Sequence, residues 1–544
     1  MNKKDKNSLV QYYKTYRPAD YKDERLGPRE IFYIEVIEAI ADLYLKIQRK
    51  FVHQTLALKS DEVMKLAWRI ADYLEDVVNH VGIFKALTTK NQEIFGTPIP
   101  LFVRDNKHFS PDTASKQAVA YLVWDFLTET RENLILSPTH EDLQTIAGEI
   151  YGYLKKQIKN VPHGSKLKEF LTLSGNKDGG SVKRRLVWLG LASYMFRFSA
   201  SNYLADKEQD VSTVEDFLMQ NPTKLSGFTP LDIFVEIAGL DEESKKELQK
   251  WEEPYMALYY VEDQTGDYWT VSNLINKKDY KVWRDYGAPE RVDPIKKGIF
   301  CLGGIVPWKK EWRWSGEQVI YSSLAPENTS QIIKVLKNEY PKMIYRYCEE
   351  SRKKAFEYVK EEYDFFISHF KTNPVTFDSG YTMKDHLQQY YRAFNKLKLE
   401  KMPKEEKKKF NLEDGVPPLD LPGPLLESTD TAIFYVVDRG MNFLTGFREF
   451  LRALAKKGQD LTKDDEEVIY GYVTDPVISY QLFHHIKKDY SFESVRCAFR
   501  VKEWNEERDL EFLLRRYKGR QYKEKFPDIK LVSSEDLYLV SEKK

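Results

Sequence analysis

Three side chains on one predicted helix have the types and the spacing of a metal site. Asp72, Asp76 and His80 are four residues apart, so a helix places two carboxylates and an imidazole on one face, with Glu75 beside them. The same pattern is typical of the solvated side of an amphipathic helix, and no matching Glu-x-x-His on another helix completes a two-metal site. A metal-dependent enzyme that uses Asp76 and His80 is therefore one alternative function.

Tryptophans form the second group of candidate residues. Six of the ten lie between residues 251 and 314, and Trp308, Trp312 and Trp314 are close together in the sequence. Exposed aromatic rings on a small barrel can stack on bases. However, residues 251–322 contain ten Lys and Arg against eleven Asp and Glu, so the basic surplus that drives nucleic-acid affinity is missing. Packing in a core or between domains is favoured, and base stacking is the alternative.

A basic run near the C-terminus is the third candidate. It consists of Arg515, Arg516, Lys518, Arg520, Lys523 and Lys525, interleaved with Tyr517 and Tyr522. Basic and aromatic side chains together suit an anionic polymer. A solvated helix face is the simpler interpretation of the same residues. Nucleic-acid binding through this run or through the tryptophans is the second alternative function.

Recognisable catalytic motifs are missing from the sequence. It contains no nucleophile elbow, Walker-type phosphate loop, dinucleotide fingerprint or HExxH zinc motif. The three cysteines, Cys301, Cys348 and Cys497, are too far apart for a Cys-x-x-Cys site and are odd in number. We therefore expect no cofactor, and the leading function is that of an interaction or scaffold protein with a protein partner.

Composition sets the broad class of protein. The 544 residues are 42% hydrophobic and 31% charged, which indicates a globular chain. Because 84 basic side chains are matched by 84 acidic ones, the protein has no global positive field. No stretch approaches the roughly 20 apolar residues of a membrane-spanning helix. The polar N-terminus is not followed by the apolar core of a secretory signal. These features predict a cytoplasmic protein that does not bind a membrane.

Hydrophobic periodicity predicts the fold class, which is mainly α with one β module. Apolar residues recur every three or four positions from Val63 to Val81, and Thr229 before Pro230 signals another helix start. After Trp251 the pattern changes to short strands separated by turns, which predicts a small β-barrel or sheet. The expected order is a helical domain (1–250), a Trp-rich β module (251–325), a helical connector (326–415) and a C-terminal α+β module (416–544).

Several short motifs resemble an uncharacterised bacterial family that is defined only as a domain of unknown function. They lie at residues 71–78, 94–102, 122–127, 136–138, 303–308 and 311–316. The resemblance extends over most of the chain and is weaker beyond residue 330. It implies the domain organisation given above and transfers no catalytic residue.

Overall fold

The computed structural model describes most of the chain. The described residues are 10–11, 13, 15–18, 27–51, 56–103, 109–131, 134–173, 179–205, 207, 211–283, 295–339, 341–401, 419–524 and 526. They divide into two compact units. The first comprises Met1–Glu252, Pro307–Lys309 and Val495–Lys523, and the second comprises Glu253–Val306, Lys310–Ser494 and Glu524–Lys544. The division into four domains expected from the sequence stays a prediction.

The first unit is helical. Its helices, in chain order, are α1 (Pro28–Gln48), α2 (Ser60–Val78), α3 (Ile83–Phe95), α4 (Lys116–Thr130), α5 (Glu141–Gln157), α6 (Leu167–Leu171), α7 (Gly179–Ala192), α8 (Arg197–Ala205), α9 (Val211–Met219), α10 (Pro230–Ile237) and α11 (Glu242–Gln249).

Helix α2 runs through the interior of this unit. Its apolar residues Val63, Leu66, Ile70 and Leu74 are almost completely buried, which agrees with their helical spacing. Helix α10 begins where the sequence indicates, because the hydroxyl of Thr229 accepts a hydrogen bond from the amide of Asp232 (3.2 Å).

The second unit begins with five strands. They are β1 (Tyr255–Thr265), β2 (Tyr268–Asn273), β3 (Asp279–Trp283), β4 (Phe300–Trp308) and β5 (Glu311–Tyr321). The strand order is β1–β2–β3–β5–β4, and β4 also pairs with β1. Strands β3 and β5 meet at one parallel pair, Val282 and Trp312. The strands therefore make a strongly curled sheet with a barrel-like order, in which β1 and β4 pair over six residues and β3 and β5 are joined only by the short parallel pairing.

Helices and a small second sheet complete this unit. The elements are α12 (Pro326–Glu339), α13 (Pro341–Tyr345), α14 (Glu349–Phe370), β6 (Val375–Phe377), α15 (Gly380–Lys401), α16 (Gly423–Glu427), β7 (Thr431–Val436), β8 (Gly440–Thr445), α17 (Phe447–Ala455), α18 (Lys463–Thr474) and α19 (Tyr480–Ile486). The sheet has the order β6–β7–β8, and every residue of the central strand β7 is buried.

Two helices follow towards the C-terminus, α20 (Glu493–Ala498) and α21 (Glu506–Lys523). Helix α21 and residues 495–498 of α20 belong to the first unit, although about 250 residues separate them from α11, the α-helix of that unit that precedes them. The predicted fold class is confirmed: a helical N-terminal region, a central five-stranded sheet and a C-terminal α+β region. Among the described helices, none combines the length and the apolar character needed to cross a bilayer.

Candidate binding site around helix α2

Helix α2 carries charged side chains into the interior of the first unit. Arg69, Glu75 and Asp76 are each no more than 3% exposed. A buried charge costs several kcal/mol unless it is paired and hydrogen-bonded, so each needs partners. The interpretation of this helix face as a solvated surface is wrong at Glu75 and Asp76, because both carboxylates are enclosed by protein.

Asp76 caps the next helix. Its carboxylate accepts hydrogen bonds from the amides of Gly82 (2.7 Å), Ile83 (3.1 Å) and Phe84 (2.7 Å) at the start of α3, and from the hydroxyl of Tyr194 (2.7 Å). Burial raises the pKa of Asp76, and the hydrogen bonds from Tyr194 and the three amides act against that rise. An acidic side chain in this position also complements the positive end of the helix dipole.

Glu75 and Asp72 bind side chains from the N-terminal end of the chain. Arg17 donates two hydrogen bonds to Glu75, at 3.1 and 2.7 Å, and Ser165 donates a third at 3.0 Å. Tyr13 donates to Asp72 (3.2 Å), which also accepts a hydrogen bond from Arg197 (2.5 Å). Burial lowers the pKa of Arg17, but the Glu75 carboxylate outweighs it and holds that pKa above its ordinary value. The pair is therefore a buried, two-pronged ion pair.

Aromatic rings surround these ion pairs. The guanidinium of Arg197 lies 3.5 Å above the centre of the Trp68 ring, and Tyr16 packs edge-on against the same ring at 5.1 Å. Trp188 donates a hydrogen bond from its indole nitrogen to the carbonyl oxygen of Tyr16 (2.6 Å). We call Trp68, Asp72, Glu75, Trp188 and Arg197 the α2 seat. Residues 13 and 15–17, which lie on it, are called the N-terminal segment.

A larger cavity opens where α2 ends. His80 is exposed there and has a left-handed backbone conformation, with φ of 52°. It borders a cleft of about 600 Å³, within the roughly 300–1,000 Å³ of typical ligand sites. We call this cavity the His80 cleft. The polar side chains along it include Asp76, His80, Lys85, Asp112, Lys168 and Glu236.

The structure does not bring the three predicted metal ligands together. Asp72 is bonded to Tyr13 and Arg197, the Asp76 carboxylate is occupied by three amides and Tyr194, and His80 lies at the surface. In the part of the chain that the structure describes, no group of three or more His, Cys, Asp or Glu side chains could hold a metal ion.

The predicted aromatic binding residues lie in packed surroundings. Trp308 is fully buried and meets Trp251 edge-on at 6.0 Å. Trp312 and Trp314 are half-buried against the core of the curled sheet, where Trp312 contacts Tyr255 at 4.8 Å. The packing interpretation of these tryptophans agrees with the structure, and full burial leaves Trp308 no ring face for a base.

The basic run divides into buried and exposed residues. Arg516 is 3% exposed and Lys518 is 1% exposed, so the solvated-face interpretation is wrong at both. Arg515 is half-buried and paired with Glu511 (2.8 Å), Arg520 is exposed, and Lys525 lies outside the described residues. A nucleic acid could therefore reach Arg520 but not the side chains of Arg516 and Lys518.

Arg516 forms part of an interior ion-pair cluster. It donates a hydrogen bond to Asp125 on α4 (2.6 Å), and Arg69 on α2 donates to the other oxygen of that carboxylate (2.8 Å). Burial by itself would raise the pKa of Asp125, but the guanidinium groups of Arg516 and Arg69 hold it below its usual range. This cluster connects α21 to the centre of the first unit.

Sequence reasoning did not identify several residues of this site. Arg17, Trp188 and Arg197 were not predicted, because their partners (Glu75, Tyr16 and Asp72) lie far away along the chain. Arg17 is 58 residues from Glu75, and Arg197 is 125 residues from Asp72. The available signal was that charged residues at positions 69, 72, 75 and 76 alternate with the apolar residues of an amphipathic helix.

Together, these features define a helical unit with a polar cleft and an internal ion-pair network. Residues 20–240, about 40% of the chain, match a protein family described as "Protein of unknown function (DUF3843)". The expected resemblance to a family of unknown function is thus confirmed for the N-terminal part of the chain. The motifs at 303–316 lie beyond the matched range. No curated protein and no solved structure matches the chain.

Proposed function

We propose that the helical unit binds a small anionic molecule in the His80 cleft. The observation that carries this proposal is that the described carboxylates of the cleft all have partners, whereas two of its basic side chains do not. The size of the cleft also suits a small ligand. Two of its carboxylates already have cationic partners. Asp112 pairs with Lys85 (3.0 Å), and Glu236 pairs with Lys90 (3.2 Å) and Lys245 (3.6 Å).

The third carboxylate, that of Asp76, is occupied by α3 and Tyr194. Within the described residues, the side chains of His80 and Lys168 have no hydrogen-bond or ion-pair partner, and both line the cleft. Both side chains are exposed, and a carboxylate or phosphate group on a ligand would replace water as the acceptor for the Lys168 ammonium group and for an imidazole N–H. This favours an anionic ligand over a cationic one.

Binding to the intact chain tests this proposal. Calorimetric titration would use inorganic phosphate and succinate as probes, with Lys168→Ala and His80→Ala as variants. Lys156→Ala, which removes an exposed lysine of α5 that does not line the cleft, is the matched control. We expect saturable binding that falls about tenfold or more in the Lys168 and His80 variants, as for loss of one charge-assisted hydrogen bond.

The control variant should bind as the unchanged chain does. Absence of saturable binding to both probes would refute the proposal. Equal affinity of the Lys168 and Lys156 variants would also refute it, since general surface charge would then explain the binding.

The interaction or scaffold function expected from the sequence is a second candidate. The observation that favours it is the α2 seat, which holds a short stretch of chain through polar and aromatic contacts. It predicts a specific protein partner recovered in stoichiometric amounts. A chain that stays monomeric and recovers no partner would count against it.

A further inference from the structure

We propose that the α2 seat is a recognition site for a peptide that carries tyrosine and arginine. The chain's own N-terminal segment occupies this site in cis, and a partner protein with a segment of the same chemistry replaces it. The proposal concerns a different surface from the His80 cleft and does not depend on ligand binding there.

The polar half of the seat selects hydroxyl and guanidinium groups. Glu75 presents both carboxylate oxygens to Arg17, whose side chain is 9% exposed, while that of Glu75 is 2% exposed. Arginine has the planar fork that matches a carboxylate in this way, and lysine does not. Asp72 accepts a hydrogen bond from the hydroxyl of Tyr13. The seat therefore discriminates by hydrogen-bond geometry as well as by charge.

The aromatic half of the seat holds the backbone and the second tyrosine. Trp68 contacts the rings of Tyr13 and Tyr16, at 6.4 and 5.1 Å between ring centres. Trp188 binds the carbonyl oxygen of Tyr16, which fixes the backbone of the segment without reading its side chain. Buried aromatic and arginine anchors of this kind dominate the energetics of protein interfaces.

The N-terminal segment does not satisfy the seat completely. A cavity of about 30 Å³ remains among Tyr16, Arg17, Trp68 and Trp188. Nη2 of Arg197 is buried beside it and has no hydrogen-bond acceptor among the described residues. A partner segment that placed an acceptor there would gain a hydrogen bond that the chain's own segment lacks. This incomplete fit leaves a partner segment a contact to gain by replacing the chain's own segment.

Peptide binding to the full-length chain tests the proposal. The double variant Tyr13→Ala/Arg17→Ala removes the two polar anchors of the segment in cis. The probe is a fluorescent peptide with the sequence of residues 8–18, SLVQYYKTYRP, and the control is the same peptide carrying Arg17→Ala. We expect the probe to bind the double variant about tenfold or more tighter than the control peptide does, as for a charge-assisted hydrogen bond.

The unchanged chain provides the second comparison. Because its own segment competes for the seat, it should bind the probe at least about tenfold more weakly than the double variant. Added probe should also raise the melting temperature of the double variant, since a ligand that binds only the folded state stabilises it. A purely structural contact would show neither effect.

The proposal is overturned if the double variant is folded, as verified by circular dichroism, and binds the probe no more tightly than it binds the control peptide. If the double variant does not fold, Arg17→Lys keeps the charge, loses the two-pronged bond and decides the question with the same two peptides. Failure of that variant to fold, or to prefer the probe, identifies the segment as a fixed part of the core.

Discussion

Replacement of Arg516 by methionine tests whether this residue of the basic run is buried and paired with Asp125. Methionine is an unbranched apolar side chain that replaces the aliphatic part of arginine and removes the charge. Arg516 donates to Asp125 (2.6 Å) and to the hydroxyl of Thr128 (2.8 Å), and its guanidinium lies 4.4 Å from the centre of the Trp124 ring. The variant Arg516→Met therefore leaves a buried carboxylate with only Arg69 as an ionic partner in the described part of the chain.

The size of the effect follows from burial. Removal of one partner from a buried ion pair costs about 3–5 kcal/mol, and the remaining bond from Arg69 places the expectation near the lower end, at about 3 kcal/mol. Arg515→Met is the matched control on the same helix. Its ion pair with Glu511 is about one-quarter exposed, so we expect a loss of about 0.2–1 kcal/mol.

Urea unfolding, followed by circular dichroism of the helices, measures both variants under the same conditions. We expect a clearly lower midpoint for Arg516→Met and a midpoint close to that of the unchanged chain for Arg515→Met. The reasoning is refuted if the free energies of unfolding of the two variants agree within about 1 kcal/mol, since Arg516 would then be no more buried or paired than Arg515.

Acid unfolding gives an independent readout of the same cluster. The pKa of Asp125 in the folded state lies below its value of about 3.9 in an unfolded chain, so its stabilising contribution is present above that pH and is lost as the pH falls further. In Arg516→Met this pKa rises, because one of the two guanidinium groups is gone. We therefore expect the acid-unfolding midpoint of this variant to move to higher pH, and an unchanged midpoint would contradict the pairing.

The remaining predictions concern single groups. Lys456 and the hydrogen bonds from Thr462 at the start of α18 lower the pKa of Asp465 to about 2, so the stabilising contribution of Asp465 should be lost as the pH falls from about 4 to 2. Below about pH 2, Asp465→Asn should therefore be as stable as the unchanged chain. Titration by NMR measures the pKa, and a value near 4 would contradict the contact. Burial raises the pKa of Cys301 to about 12, so a thiol reagent at pH 8 should leave it unmodified in the native protein, and rapid labelling detected by mass spectrometry would show that it is accessible. If the nucleic-acid alternative holds, affinity for a single-stranded oligonucleotide should fall steeply with salt and with Trp312→Ala, whereas salt-independent or absent binding would end it. Elemental analysis tests the metal alternative: stoichiometric metal that is lost in His80→Ala would support it, and metal-free folded protein would end it.

Local signals in the sequence predicted most of the secondary structure. The β strands near residues 255, 268, 280 and 300 follow the alternation and turn residues of that segment. The start of α10 follows from the capping residues around Thr229, which act within one helical turn. Such signals can be read directly because the interacting groups are neighbours in the chain.

The sequence by itself determined the helical N-terminal region, the curled sheet after Trp251 and the absence of a known catalytic motif. Tertiary structure alone decided the roles of the charged residues. Arg516 and Asp125 are 391 residues apart, and nothing in the order of residues distinguishes a paired interior arginine from a solvated one. The burial of Asp76 likewise depends on α3 and Tyr194. The physical reason is that the charge of a side chain is a local property, whereas its partner and its exposure depend on how distant segments pack.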